Sequence, residues 1–433
     1  MPCATGGTVI NGEAGRPPPE AGALRERPAR PTFGEIFGLA EFRALWLAQL
    51  LSVAGDQLAR VALTLLVFAR TQSSLLAAVA FAASVIPTAL GGVTLAGIAD
   101  RLPRRTVMIT CDLARAVLVA VMTLPGVPIW ALVGLLFLVT LTSAPFTSAR
   151  AALYPDILAG ERYPVGTAIT LTTLQVAQVI GFAAAGVVAG LFGVRTCLLV
   201  DALTFICSAV IIRIWVRARP AARESARQGG ATLVSLRAGL GLAFADPALR
   251  FPMLLAWLVA VIDVPEGVSA PLAASLGGGA VAVGMILAAG ALGSSAGAVT
   301  VSRFVSPARR LRWMAPLAAA SCAVLGLFAL QPALPGVLAI LTVSGVFSCY
   351  LIAANAAFVA AAPPHVRSQA FGVAQAGMSL GQGLAMIAAG AAAEHHSPSA
   401  VIAVFGAVGA LAAAALAAAR PHGSRVRSAW PRH

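Results

Sequence analysis

Gly97-Ile98-Ala99-Asp100-Arg101-Leu102-Pro103-Arg104-Arg105 is a charged knot set between two long apolar runs. Leu75 to Ala99, before it, carries no charge, and Thr106 to Leu124, after it, carries only Asp112 and Arg115. A tight arginine-rich turn between two stretches of bilayer length reads as a helical hairpin in a membrane, its turn on the cytoplasmic side.

Composition extends that reading to the whole chain. Of 433 residues, 59% are hydrophobic and 11% charged, and the mean hydropathy is +0.88. A soluble protein of this length needs more charge to cover its surface, whereas lipid replaces water around a multi-spanning one. The net charge of +14 comes from 30 basic residues, all of them arginine. They sit in short loops rather than on one face, so positive-inside anchoring explains them and nucleic acid does not. Cys3, Cys111, Cys197, Cys207, Cys322 and Cys349 are scattered without CxxC or Cys/His spacing, which supports neither a metal site nor a disulfide framework. His395-His396 reads as a wet outer loop.

Apolar runs of about 20 residues predict twelve spans, near 44–69, 75–99, 106–124, 128–149, 167–190, 196–215, 251–272, 279–300, 313–330, 336–358, 369–392 and 399–418. The fold class expected is therefore an all-α membrane protein of two pseudo-symmetric six-helix bundles. The divisions are a disordered cytoplasmic tail (1–40), a first bundle (41–215), a cytoplasmic linker (216–250), a second bundle (251–418) and a cytoplasmic tail (419–433). Within the linker, Leu233 to Phe244 reads as a short interfacial helix. The halves resemble each other. Glu41-Phe42-Arg43-Ala44-Leu45 and Asp246-Pro247-Ala248-Leu249-Arg250 lead into spans 1 and 7, and basic turns, Asp100 to Arg105 and Arg303 to Arg312, follow spans 2 and 8. With both termini inside, 25 of the 30 arginines face the cytoplasm, which sets the expected topology. Related halves are what a transporter that rocks one bundle against the other requires.

At Gly97 to Arg105 the chain resembles the loop 2–3 signature of the major facilitator superfamily: Gly, three residues on Asp, then Arg, then Arg-Arg. Phe42-Arg43-Ala44-Leu45-Trp46-Leu47-Ala48-Gln49 before Gly55-Asp56 is similar to the opening of the bacterial drug and siderophore exporter branch, which includes enterobactin and macrolide exporters. Pro145 and Arg150 before Tyr154-Pro155-Asp156, Asp201-Ala202-Leu203-Thr204-Phe205, and Arg367 to Gln375 look the same, so the likeness runs from about 40 to 418. Two departures stand out. Pro103 replaces a frequent Gly, and Gly181-Phe182-Ala183-Ala184-Ala185-Gly186 in span 5 lacks the proline of the Gly-Pro-x-x-Gly-Gly element of antiporters. The resemblance implies that Gly97, Asp100, Arg101, Arg104 and Arg105 form a gating loop, with Asp100 against the start of span 11 and the arginines on the facing half or on anionic lipid.

Charges near the bilayer centre cost about 2.5–3.5 kcal/mol on insertion scales and so invite explanation. Asp56 falls near mid-depth of span 1, with Arg60 at i+4; the two are either a cavity-facing coupling site or a mutually neutralised pair. In span 7, Asp263 and Glu266 share a face, and Pro265 between them should break the helix. Two carboxylates this close tend to hold one proton between them, which suits proton coupling; the alternative is a wet Glu266 near the outer end. Asp112 and Arg115, three apart in span 3, read as a structural charge pair, and Asp201 as a helix N-terminal carboxylate. Gln175, Gln178, Asn355 and Gln375 divide between helix–helix hydrogen bonds and cavity lining.

No GxxxxGK[ST], Ser/His/Asp or HExxH pattern occurs, so neither ATP drive, nor an enzyme, nor a cofactor is expected. The function expected is proton-coupled efflux of a small amphipathic organic compound (drug, siderophore or secondary metabolite) by a monomer in the inner membrane of a bacterium. Its partners are the small-molecule substrate, protons or sodium, and membrane lipids. Uptake by the same fold, or a non-transporting membrane sensor or assembly protein, are the alternatives.

Overall fold

The computed structural model describes residues 33–94, 102–160, 162–219, 241, 244–363 and 367–419. Among them all regular structure is helical, the form in which a chain in lipid satisfies its own backbone groups. After a short helix (Phe33–Phe37), twelve rods follow in order among the described residues. In the first half these are α1 (Ala40–Thr71), α2 (Ser74–Ala82 and Ile86–Thr94), α3 (Arg104–Met122), α4 (Ile129–Ile157), α5 (Arg162–Phe192) and α6 (Val194–Trp215). The second half has α7 (Pro247–Trp257, Val259–Ile262, Val264–Gly267 and Ser269–Ser275), α8 (Ala280–Phe304) and α9 (Pro307–Leu325, continued by a 3-10 turn, Gly326–Leu330). It closes with α10 (Leu334–Phe347 and Tyr350–Ala361), α11 (Arg367–Ala392) and α12 (Pro398–Ala418). Ten of them are long and apolar enough to cross a membrane. The chain is a multi-pass membrane protein.

Several boundaries move from their sequence expectation. Arg104 and Arg105 open α3 rather than lying in a turn. Arg303 lies in the last turn of α8, and Arg309, Arg310 and Arg312 occupy the first turns of α9. Helix α4 continues through Pro145 to Ile157. Gly97, Asp100, Arg101 and most of Leu233 to Phe244 lie outside the described residues.

Each half packs internally, α1 against α5 and α6, and α8 against α10. The halves meet along two seams, α2 with α11 and α5 with α8. Small residues set the distance at both. A Cβ on Gly284 would lie 2.7 Å from the Gly186 Cα, and one on Gly390 would lie 2.9 Å from the Ser74 carbonyl oxygen, so the backbones touch as close helix packing in lipid demands. One buried core runs from the first half (Leu63, Phe81, Phe182, Phe205) straight into the second (Val264, Leu272, Leu287, Met386). Toward the arginine-bearing ends the core divides. Leu45, Met108 and Phe146 form a cluster in the first half, while Leu255, Met314 and Tyr350 form another in the second. Among the described residues the bundles are thus fused at one end and parted at the other.

Candidate functional site

Between the bundles lies a cavity of about 590 Å³. It sits on the arginine side of the Gly186–Gly284 contact, since its lining from α5 and α8 (Gln175, Gln178, Ile286, Gly290, Ser294) lies farther along each helix toward that end. Gln175 and Gln178 come from the first half; α7, α8, α10 and α11 of the second supply the remainder, with Asp263, Glu266, Ser294, Ser344, Ser348, Gln375 and Gln382 as the polar set.

The acidic pair owes its place to a broken helix. Pro265 has no amide hydrogen and its ring crowds the preceding turn, and α7 is indeed interrupted on either side of it, with Asp263 at the joint at φ −91°, ψ 1°. This is the sparsely populated bridge region where turn and active-site residues gather. The break turns both carboxylates onto the cavity, so Glu266 lines it rather than lying in an outer loop. Gln382 of α11 donates from Nε2 to the Asp263 Oδ2 at 2.6 Å. A further link crosses the halves: Arg60 of α1 lies within electrostatic range of Glu266 and also of Asp56. No ion pair joins Asp56 to Arg60 among the described residues, and the Arg60 guanidinium stands 6.0 Å from the Phe81 ring centroid. Neither residue is among the cavity's lining, nor is Asn355, which is exposed on α10.

The first bundle holds a second polar cluster, sealed away. The Arg115 Nη2 and the Asp112 Oδ1 form a buried ion pair. Ser208 donates to the other Asp112 oxygen at 2.6 Å, and Arg115 Nη1 donates to the Ser52 hydroxyl at 3.1 Å. The guanidinium is also held between two rings, 4.7 Å from the Phe146 centroid and 4.4 Å from that of Phe205. Asp201 is no helix N-terminal carboxylate. Helix α6 begins at Val194, so the residue falls beyond the first turn, where the dipole no longer acts. It is fully buried against Gly55, within range of Asp56, and one of its oxygens has no hydrogen-bond partner. A side chain on Gly55 would occupy the same space, and this contact, 146 residues away in the chain, carries no local sequence signal.

At the parted end, Arg104 bonds Asp156 at 2.7 Å and the Ala152 carbonyl at 2.8 Å, and Arg105 bonds the Arg213 carbonyl. Both arginines are therefore engaged within the first bundle. Glu41 pairs with Arg219 at 2.7 Å. At the fused end, Glu394 spans the two halves. Its Oε1 accepts from the Ser73 hydroxyl and from the Leu75 amide, each at 2.7 Å. Those hydrogen bonds hold its carboxyl below the ordinary glutamate value.

The profile of the Major Facilitator Superfamily matches residues 45–341 and 267–432. No curated protein matches the chain. Among solved structures it is similar to a POT family transporter in complex with 5-aminolevulinic acid, at 13% identity and a TM-score of 0.71 over 91% of this chain and 98% of that one. It is also similar to the nucleoside transporter NupG (16% identity, TM-score 0.66, 87% and 98% covered). A third is a bacterial homolog of the human lysosomal transporter Spinster in an inward-facing and occupied conformation (16% identity, TM-score 0.64, 87% and 96% covered). Identities this low speak for the fold.

Proposed function

Because the chain belongs to the major facilitator superfamily, we propose that it is a proton-coupled exporter of a small amphipathic organic compound, with its arginine-rich end in the cytoplasm and Asp263 and Glu266 as the coupling carboxylates. It is a transporter of that fold; direction, ion and cargo class are the proposal. One observation carries it: both carboxylates line the cavity between the halves, at a break in α7. The lining offers two carboxylates, four glutamine amides and three serine hydroxyls, and no basic side chain. Such a wall suits a neutral or cationic molecule that donates hydrogen bonds, and disfavours an anion. Arg60 approaches Glu266 from the other half. Protonation of the pair would weaken that attraction across the interface and favour the alternate packing, while cargo and proton would compete for the same oxygens.

The direct experiment uses everted vesicles containing the full chain and a cationic fluorescent amphiphile. Internal acidification should drive accumulation, a sodium gradient should not, and Asp263→Asn or Glu266→Gln should abolish uphill accumulation while leaving exchange of cargo down its gradient. If both variants accumulate cargo as the parent does, the coupling role is wrong; if flux runs only in the opposite sense, the protein is an importer.

A further inference from the structure

We propose that the arginine-rich end of the second bundle holds one anionic phospholipid, its phosphate on Arg309 and Arg310 and an acyl chain in a pocket between α8, α9 and α10. A cavity of about 270 Å³ lies there, away from the central one. Its walls are apolar (Val301, Trp313, Leu317), and its rim carries Arg309 and Arg310. Tyr350 closes the inner side. The residue is 1% exposed.

The charge around the rim is unbalanced. Arg303, Arg309, Arg310 and Arg312 cluster within ten residues, yet from Gly267 to Ala393 the sequence holds neither Asp nor Glu. Among the described residues, all three ion pairs lie before the second bundle, and two of them, Arg104–Asp156 and Arg219–Glu41, sit at the same end. Arg310 is anchored by its Nε to the Val305 carbonyl at 2.7 Å and by Nη2 to that of Ser302 at 2.8 Å, which holds its charge at the rim. Phe304 and Trp313 are 73% and 55% exposed beside it, as aromatic side chains are at the headgroup level of a bilayer. Uncompensated arginines over an apolar slot between helices complement an amphiphilic anion. A free phosphate would satisfy the rim and leave the slot empty.

The full-length protein, delipidated in mild detergent, is titrated with dioctanoyl phosphatidylglycerol, dioctanoyl phosphatidylcholine or inorganic phosphate, and bound molecules are counted by native mass spectrometry. Two arginines should give phosphatidylglycerol a roughly tenfold or greater preference over phosphatidylcholine. Arg309→Gln should reduce the preference severalfold. Ala353→Phe, which fills the pocket, should remove the bound lipid; should that variant fail to fold, Arg309→Gln decides. Equal binding of the two lipids, displacement of phosphatidylglycerol by millimolar phosphate, or an unchanged preference in Arg309→Gln would each overturn the proposal.

Discussion

Replacing Gly284 with alanine should open the fused end of the molecule. The added methyl would sit 2.7 Å from the Gly186 Cα and 2.7 Å from the Phe182 carbonyl oxygen, whereas carbon atoms in contact settle near about 3.5 Å or more. The neighbours are backbone and cannot rotate aside, so α5 and α8 must separate by about 0.8 Å or tilt. Overpacking of this kind costs about 1–3 kcal/mol. In the proposed alternating-access cycle that cost falls only on the conformation in which the seam is closed, since opening this end would part the two helices. A differential of this size shifts the balance of states by roughly 5- to 150-fold, at a factor of ten per 1.4 kcal/mol. Spin labels placed near the fused ends of α5 and α8 report the change as a new, longer distance in pulsed dipolar spectra. Gly293→Ala is the control. Its methyl would strike the Thr342 backbone within the second half, so it should lower thermal stability without moving the inter-bundle distance. If Gly284→Ala leaves the distance distribution unchanged while folding normally, the seam is not what holds this end shut.

Three other outcomes are expected. Arg115→Met leaves Asp112 buried without its partner and should cost about 3–5 kcal/mol by thermal denaturation in detergent, while Asp112→Leu/Arg115→Met should recover much of the loss. Asp263→Asn and Glu266→Gln should uncouple accumulation from the proton gradient in the vesicle assay. Glu394 contributes to the closed fused end only as a carboxylate. Its hydrogen bonds hold its carboxyl below the ordinary value, so the contribution is complete above that ordinary value and is lost as pH falls through the lowered one. Label distances across α2 and α11 should therefore lengthen only at acid pH in the parent and show no such step in Glu394→Gln; the change should be small, since the group is exposed.

Much of this molecule is legible in the sequence, because lipid imposes simple rules on a chain. Apolar runs of bilayer length and the knot at Gly97 to Arg105 suffice for the all-α architecture of paired bundles, and Pro265 marks the break in α7. What the sequence conceals is whatever depends on one rod meeting another. Gln382 is 119 residues from the carboxylate it bonds, and nothing in its own neighbourhood distinguishes it from Gln375. Asp201 reads as a capping residue from its distance to an apolar run; its burial against Gly55 depends on the crossing of α1 and α6. Asp56 shows the same limit. Its spacing from Arg60 suggests a pair, yet Arg60 also lies within range of Glu266 in the other half. Helix ends are misread where arginines open a helix, as in α3 and α9, because charge looks like a turn when only hydropathy is followed.

The first rod of each half makes an instructive contrast. Helix α1 runs unbroken for 32 residues, and its counterpart α7 comes in four short pieces with Asp263 at a joint. A continuous rod transmits a push along its whole length, whereas a jointed one can yield at one link while its ends stay put. A proton arriving at Asp263 would act at a hinge pin, not on a beam. On the proposed coupling role, the first bundle would work as the frame and the second as the limb, so the two related halves, alike in outline, would divide the labour of switching unequally.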